Sequence, residues 1–125
     1  MNDKGAFRNL VKSFGYAIEG LSYAFLSQRN FRIQLGLGLL SLFLAYILGF
    51  SRIEFLILLL CICLVLAGEL INTVFESFMD FKTEEFHPKV KIAKDLSASF
   101  VLLISIFVIL IGIFLFAPHI LKYSF

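Results

Sequence analysis

The chain has 125 residues, 60 % of them hydrophobic, with sixteen Phe, no Trp and a net charge of +2. A soluble domain of this length cannot hide so much apolar surface, so the composition excludes a water-soluble globular protein. The small positive charge does not indicate nucleic-acid binding. We therefore expect a protein of the lipid bilayer.

The N-terminal segment, about residues 5–27, predicts an amphipathic helix. Its apolar residues recur at helical spacing, whereas the basic residues Arg8 and Lys12 lie on other faces. Such a helix can lie flat in the headgroup region near anionic lipid, or it can pack on the inner rim of a helical bundle. A helix on the membrane surface can also cover a site beneath it.

Three apolar runs reach the roughly 20 residues that a membrane span requires. They predict transmembrane helices at about residues 31–50, 53–81 and 90–118, all within a single domain of residues 1–125. Gly49 is suited to end the first span, and Ser51 with Glu54 predicts a capping box at the start of the second. The expected fold class is an all-α membrane protein.

The distribution of Lys and Arg predicts the orientation of the chain, because these residues stay preferentially on the cytoplasmic side. One side carries Lys4, Arg8, Lys12, Arg29, Arg32, Lys82, Lys89, Lys91 and Lys94. The other side carries only Arg52 and Lys122. The N-terminus and the second connection are therefore expected in the cytoplasm, and the C-terminus outside the cell.

The second span contains a polar row formed by Glu69, Asn72, Glu76 and Asp80. At about 100° per residue, these four positions share one face of a helix. Carboxylates in so apolar a segment are unfavourable unless they are paired, hydrated or bound to metal. The rise of the helix places Glu69 just within the inner leaflet and Asp80 among the cytoplasmic headgroups. The row thus spans the boundary between a lipid-soluble and a water-soluble reactant.

Lys91, Lys94 and Asp95 share one side at the start of the third span. Ammonium groups beside carboxylates suit a phosphate with a bridging divalent cation. The alternative is a basic cluster that only anchors the end of a helix. Next to the acidic row, phosphate chemistry is the favoured interpretation.

These residues resemble the signature of the small prokaryotic membrane diacylglycerol kinases, a family that includes undecaprenol kinases. The resemblance covers nearly the whole chain. It is carried by Glu69 to Asp80, Glu85-Phe86-His87-Pro88, Lys91 to Asp95, Tyr16, Glu19-Gly20-Leu21 and Asn30-Phe31-Arg32.

The resemblance implies an ATP-dependent lipid kinase of the bacterial cytoplasmic (inner) membrane, built as a homotrimer with active sites shared between neighbouring subunits. It would transfer the γ-phosphate of MgATP to the hydroxyl of a membrane lipid. The acceptor is diacylglycerol or undecaprenol, and His87-Pro88 together with the short outer turn look more like the Gram-positive-type members, many of which prefer undecaprenol.

The resemblance also implies roles for individual residues. Glu69 is the expected general base, and Asn72 helps to position it. The expected lipid-binding residues are Glu69, Asn72, Arg32 and Ala98. The expected ATP-binding residues are Tyr16, Gln28, Glu76, Glu85, Phe86, His87, Lys94 and Asp95. Glu76 and Gln28 are expected to hold Mg²⁺.

The chain departs from the family at two positions. Many members have a metal-binding Glu where this chain has Gln28, and a neutral amide oxygen is a weaker ligand than a carboxylate. We therefore expect weaker magnesium binding than in a Glu-bearing relative. Arg8 lies one residue from the register in which the family carries an Arg.

Two other functions are compatible with a small membrane protein: a transporter or ion-conducting protein, and a non-catalytic membrane subunit. A conduction pathway needs polar groups through the outer half of the bundle, where residues 56–67 offer only Cys61 and Cys63. For His87, nucleotide contact and helix capping are both open at this point.

Overall fold

The computed structural model describes residues 3–82 and 87–122, which form four α-helices and no strand. The helices are α1 (Asp3–Ser27), α2 (Arg29–Ile47), α3 (Arg52–Lys82) and α4 (Pro88–Lys122). By length and composition, α2, α3 and α4 can each cross a membrane. The predicted all-α architecture with three membrane-length helices is confirmed.

A single residue, Gln28, separates α1 from α2. Its extended backbone (φ −100°, ψ 110°) breaks the helix. Arg32 secures the junction, because its Nη1 atom donates hydrogen bonds to the carbonyl oxygens of Phe25 (2.9 Å) and Leu26 (2.8 Å) at the open end of α1. Most of α1 is exposed in the single chain, with Ala24 buried. The position of this helix on a membrane surface stays a prediction.

The turn between α2 and α3 depends on Gly49, whose φ of +74° is a conformation that favours glycine. The N–H of Gly49 donates to the carbonyl of Tyr46 (3.2 Å), and that of Phe50 donates to the carbonyl of Ala45 (3.0 Å). This is a Schellman motif. It ends α2 at Ile47, three residues before the predicted boundary.

The predicted capping box at the start of α3 is confirmed. The backbone N–H of Ser51 donates to Oε2 of Glu54 at 2.7 Å, and the backbone N–H of Glu54 donates to Oγ of Ser51 at 3.3 Å. Two amide groups at the open end of α3 are thereby satisfied.

The end of α4 packs on this hairpin. The ring of His119 stacks on Phe50 with centroids 4.7 Å apart, and Nε2 of His119 lies 2.8 Å from Oε1 of Glu54. Phe116 also packs on Phe50. α4 continues through Pro118 to Lys122, beyond the predicted end at residue 118. It does so although proline lacks an N–H for the helical hydrogen bond.

α3 packs against both α2 and α4, so side chains of α3 can meet side chains from two neighbouring helices. Gly38 allows the close approach of α2. A Cβ atom at this position would lie 2.9 Å from Cγ2 of Ile62, nearer than ordinary van der Waals contact.

Candidate functional site

The polar row on α3 runs from a buried end to an exposed end. Glu69 is 3 % exposed and Asn72 is 8 % exposed. One turn further on, Glu76 is half-buried, and the side chain of Asp80 is 67 % exposed. The row thus leads from the protein interior to the surface next to the α3–α4 connection.

Glu69 is held by a neutral partner from α2. Nε2 of Gln34 donates a hydrogen bond to Oε2 of Glu69 at 3.3 Å. The other amide atom, Oε1 of Gln34, is buried and accepts no hydrogen bond from the described residues. The partner of Glu69 in the described residues is thus a neutral amide and not a cation.

Asn72 is held from α4, because Oγ of Ser97 donates to Oδ1 of Asn72 at 2.7 Å. Thr73 lies next to these groups and is also buried, but its hydroxyl donates to the backbone carbonyl of Glu69 within α3 (2.9 Å). Partners on two different helices therefore orient the first two members of the row.

Two ion pairs lie near the start of α4, and one of them reaches the exposed end of the row. Lys94 of α4 pairs with Asp80 of α3, and Nζ of Lys91 lies 2.6 Å from Oδ2 of Asp95. Exposed pairs of this kind contribute little to stability, typically about 0–1 kcal/mol. Only the Lys94–Asp80 pair joins α4 to the polar row, because the Lys91–Asp95 pair lies within α4.

The other predicted site residues that the structure describes lie outside the row, on α1, on α4 and around the α1–α2 junction. Gln28 is half-buried at the α1–α2 junction, and Ala98 is exposed on α4. Arg32 caps the end of α1. Tyr16 is 68 % exposed and makes no hydrogen bond to another described residue, so the single chain does not join it to the row.

The connection between α3 and α4 is described only from His87 onward, and the predicted ATP-binding residues Glu85 and Phe86 lie outside the described residues. Nδ1 of His87 accepts a hydrogen bond from the backbone N–H of Lys89 at 3.2 Å. This contact caps α4, which is the capping alternative considered for His87.

The described residues contain no group of three or more His, Cys, Asp or Glu side chains arranged for a metal ion. Glu76 and Gln28 nevertheless supply carboxylate and amide oxygens, which are the donors that Mg²⁺ accepts. Gln28 makes no side-chain cap for α2, so its amide is not committed to the helix end. Mg²⁺ usually completes its coordination with substrate phosphates and water, and the donor chemistry of these two residues fits that arrangement.

An apolar groove of about 660 Å³ opens between α1 and α3, beside the turns that carry Glu69 and Asn72. Its walls include Leu21, Ala24, Leu70 and Thr73. Thr73, whose hydroxyl bonds to the carbonyl of Glu69, lines this groove, whereas Glu69 and Asn72 lie outside its lining.

Two residues that contact the row, Gln34 and Ser97, were absent from the predicted site. A sequence signal exists for each of them. Gln34 is an isolated amide in an apolar span, and such a residue usually has a polar partner within the bundle. Ser97 lies one turn after Lys94 and so shares its face of α4.

The sequence profile of the prokaryotic diacylglycerol kinase family matches residues 15–116, which is most of the chain. The chain belongs to this family. The family resemblance seen in the sequence is thereby confirmed. Together with the three membrane-length helices, it indicates a multi-pass protein of a bacterial membrane.

Individual members of the family show the same similarity. A diacylglycerol kinase of Synechocystis sp. is 42 % identical over 91 % of this chain, which spans 66 % of that relative's length. The undecaprenol kinase of Bacillus subtilis is 31 % identical over 92 % of this chain and 94 % of its own length. The diacylglycerol kinase of Escherichia coli K12 is 27 % identical over 94 % of this chain and 97 % of its own.

Proposed function

We propose that this chain is an ATP-dependent lipid kinase that transfers the γ-phosphate of MgATP to the hydroxyl of diacylglycerol or undecaprenol. The observation that carries the proposal is Glu69, a carboxylate only 3 % exposed in a membrane-length helix of a lipid kinase family. An acidic group in this position is unfavourable for insertion, which favours a catalytic reason for its presence.

In the proposed mechanism, Glu69 accepts the proton of the lipid hydroxyl while the hydroxyl oxygen attacks the γ-phosphorus. The bond from this phosphorus to the β–γ bridging oxygen breaks, and ADP leaves. The hydrogen bond from Gln34 engages Oε2 of Glu69, so the oxygen proposed to accept the proton is Oε1. Asn72 supplies an amide next to the base.

The water-soluble substrate is proposed to bind at the exposed end of the row. Lys94 would offset the phosphate charge, and Asp95 would contact the nucleotide. Tyr16, Glu85, Phe86 and His87 complete the proposed ATP-binding set. Phosphoryl transfer depends mainly on alignment and neutralisation of charge, which side chains of these types can provide.

We propose that Glu76 and Gln28 hold Mg²⁺ together with the nucleotide phosphates. When bound, the ion neutralises charge on the phosphate oxygens. Along the row, Glu76 lies between the buried Glu69 and the exposed Asp80, which pairs with Lys94. This position is consistent with the proposed role.

The lipid is proposed to approach through the groove between α1 and α3, with Arg32 and Ala98 contributing to its binding. Nη1 of Arg32 is engaged by the end of α1. A contact between Arg32 and a lipid headgroup would therefore use the other N–H groups of the guanidinium.

We further propose a homotrimer with the N-terminus and the α3–α4 connection in the cytoplasm and the C-terminus outside. Three spans are too few to enclose two substrates. In the single chain, Tyr16 is also exposed and makes no hydrogen bond to the described residues, so a neighbouring subunit could supply the missing contacts. The distribution of Lys and Arg supports the orientation.

Incubating the purified protein in mixed micelles with γ-labelled ATP and each lipid in turn tests the proposed function. We expect magnesium-dependent transfer of label to diacylglycerol or to undecaprenol, and the preferred lipid identifies the acceptor. Failure to label either lipid, combined with substrate or ion flux in liposomes without ATP consumption, would instead establish a transporter.

A Gln28→Glu variant tests the proposed metal ligand. Replacing a neutral oxygen by a carboxylate should tighten magnesium binding, so we expect half-maximal activity at a magnesium concentration lower by roughly 3- to 10-fold. The measurement is activity against magnesium at fixed ATP. Asn9→Asp is the control, because it introduces the same charge on exposed α1 and should leave the magnesium dependence unchanged. Gln34→Glu cannot serve as a control, because Gln34 contacts Glu69. An unchanged magnesium dependence in Gln28→Glu would contradict the assignment.

A further inference from the structure

Ser97 differs from the other serines of α4 in the partner of its hydroxyl group. Oγ of Ser99 donates to the carbonyl of Leu96, and Oγ of Ser105 donates to the carbonyl of Val101, both within α4. This is the usual local bond of a helical serine. The hydroxyl of Ser97 instead crosses to α3 and donates to Oδ1 of Asn72 at 2.7 Å.

This hydrogen bond determines the orientation of a buried amide. The side chain of Asn72 has one acceptor atom, Oδ1, and one donor atom, Nδ2. With Oδ1 turned to Ser97, Nδ2 points away from this contact, and it donates to no acceptor among the described residues. Asn72 is only 8 % exposed, so this donor belongs to a buried residue one turn from Glu69.

We propose that Ser97 is a positioning residue, which holds the Asn72 amide so that Nδ2 faces the reacting lipid hydroxyl and phosphate. The proposal rests on the proposed lipid kinase function. A donor held in place before the reaction can stabilise negative charge that develops on an oxygen, whereas an amide free to rotate presents its donor only part of the time. Ser97 acts through Asn72 and is not itself expected to touch the substrate.

The test compares Ser97→Ala, Ser97→Thr and the matched control Ser99→Ala, whose hydroxyl bonds only within its own helix. For Ser97→Ala we expect kcat to fall by roughly 3- to 10-fold, the effect of losing one hydrogen bond, with KM for ATP within about twofold of the parent value. Ser97→Thr should restore most of the loss, since it retains a hydroxyl. Ser99→Ala should stay within about twofold of the parent in both parameters.

A double variant separates positioning from a general structural effect. If Ser97 acts through Asn72, adding Ser97→Ala to Asn72→Ala should lower kcat no further. Multiplicative losses in the double variant, or an unchanged kcat in Ser97→Ala, would overturn the proposal.

The side-chain amide signals of Asn72 in ¹⁵N-labelled protein provide a readout independent of activity. Ser97→Ala should shift these signals, and Ser99→Ala should not. If the parent protein labels no lipid, the proposed function fails whatever these signals show. If the parent protein is active and the signals do not move in Ser97→Ala, the positioning role fails and the kinase proposal stands.

Discussion

Replacing Glu69 by Gln should lower kcat for lipid phosphorylation by roughly 100- to 10,000-fold, the range expected when a general base is removed. The amide has nearly the shape of the carboxylate, and its oxygen can still accept the hydrogen bond from Nε2 of Gln34. We therefore expect the variant to insert and fold normally. The measurement is transfer of label from ATP to lipid at saturating substrates.

Glu54→Gln is the matched control for Glu69→Gln. Glu54 lies at the opposite end of α3, and Gln can replace Glu in the capping box that it forms with Ser51. Its kcat should remain within about threefold of the parent value. If Glu69→Gln retains more than a tenth of the parent activity while Glu54→Gln behaves normally, Glu69 is not the base.

Replacing Lys94 by Met should lower kcat/KM for ATP by roughly 100-fold, because a positive charge aimed at developing phosphate charge typically contributes this much in a partly desolvated site. The side chain of Lys94 is 39 % exposed and pairs with Asp80, so its ammonium group lies beside the exposed end of the polar row. The loss should appear when ATP is the varied substrate. Lys94→Arg retains the charge and should lose less.

Lys89→Met removes the same charge from the first turn of α4, where the residue is exposed. Its kcat/KM for ATP should change by less than about threefold. Equal losses in Lys94→Met and Lys89→Met would show that the net positive charge of this region matters, and that no specific contact from Lys94 is needed.

Much of the architecture could be predicted because it depends on local rules. Apolar runs of membrane length identify three helices. The end of the first span and the capping box depend on residues only a few positions apart, namely Gly49, Ser51 and Glu54. The alignment of Glu69 with Asp80 on one face follows from the helical period alone.

The contacts around the polar row could not be predicted in this way. Gln34 lies 35 residues before Glu69, Ser97 lies 25 residues after Asn72, and Lys94 lies 14 residues after Asp80. The rotation of each helix about its axis decides these pairs, and packing between helices sets this rotation. The family resemblance predicted Ala98 as a site residue, whereas the hydroxyl that contacts Asn72 belongs to Ser97.

The sequence alone therefore determined that the chain crosses a membrane with three helices and carries acidic groups on one face of the second. Hydrophobic length and helical period suffice for both conclusions, since both are properties of a single segment. Only the tertiary structure decided that Glu69 is buried against Gln34 while Asp80 remains exposed beside Lys94. Burial and pairing arise when separate segments pack together, and no local pattern specifies which side chains then meet.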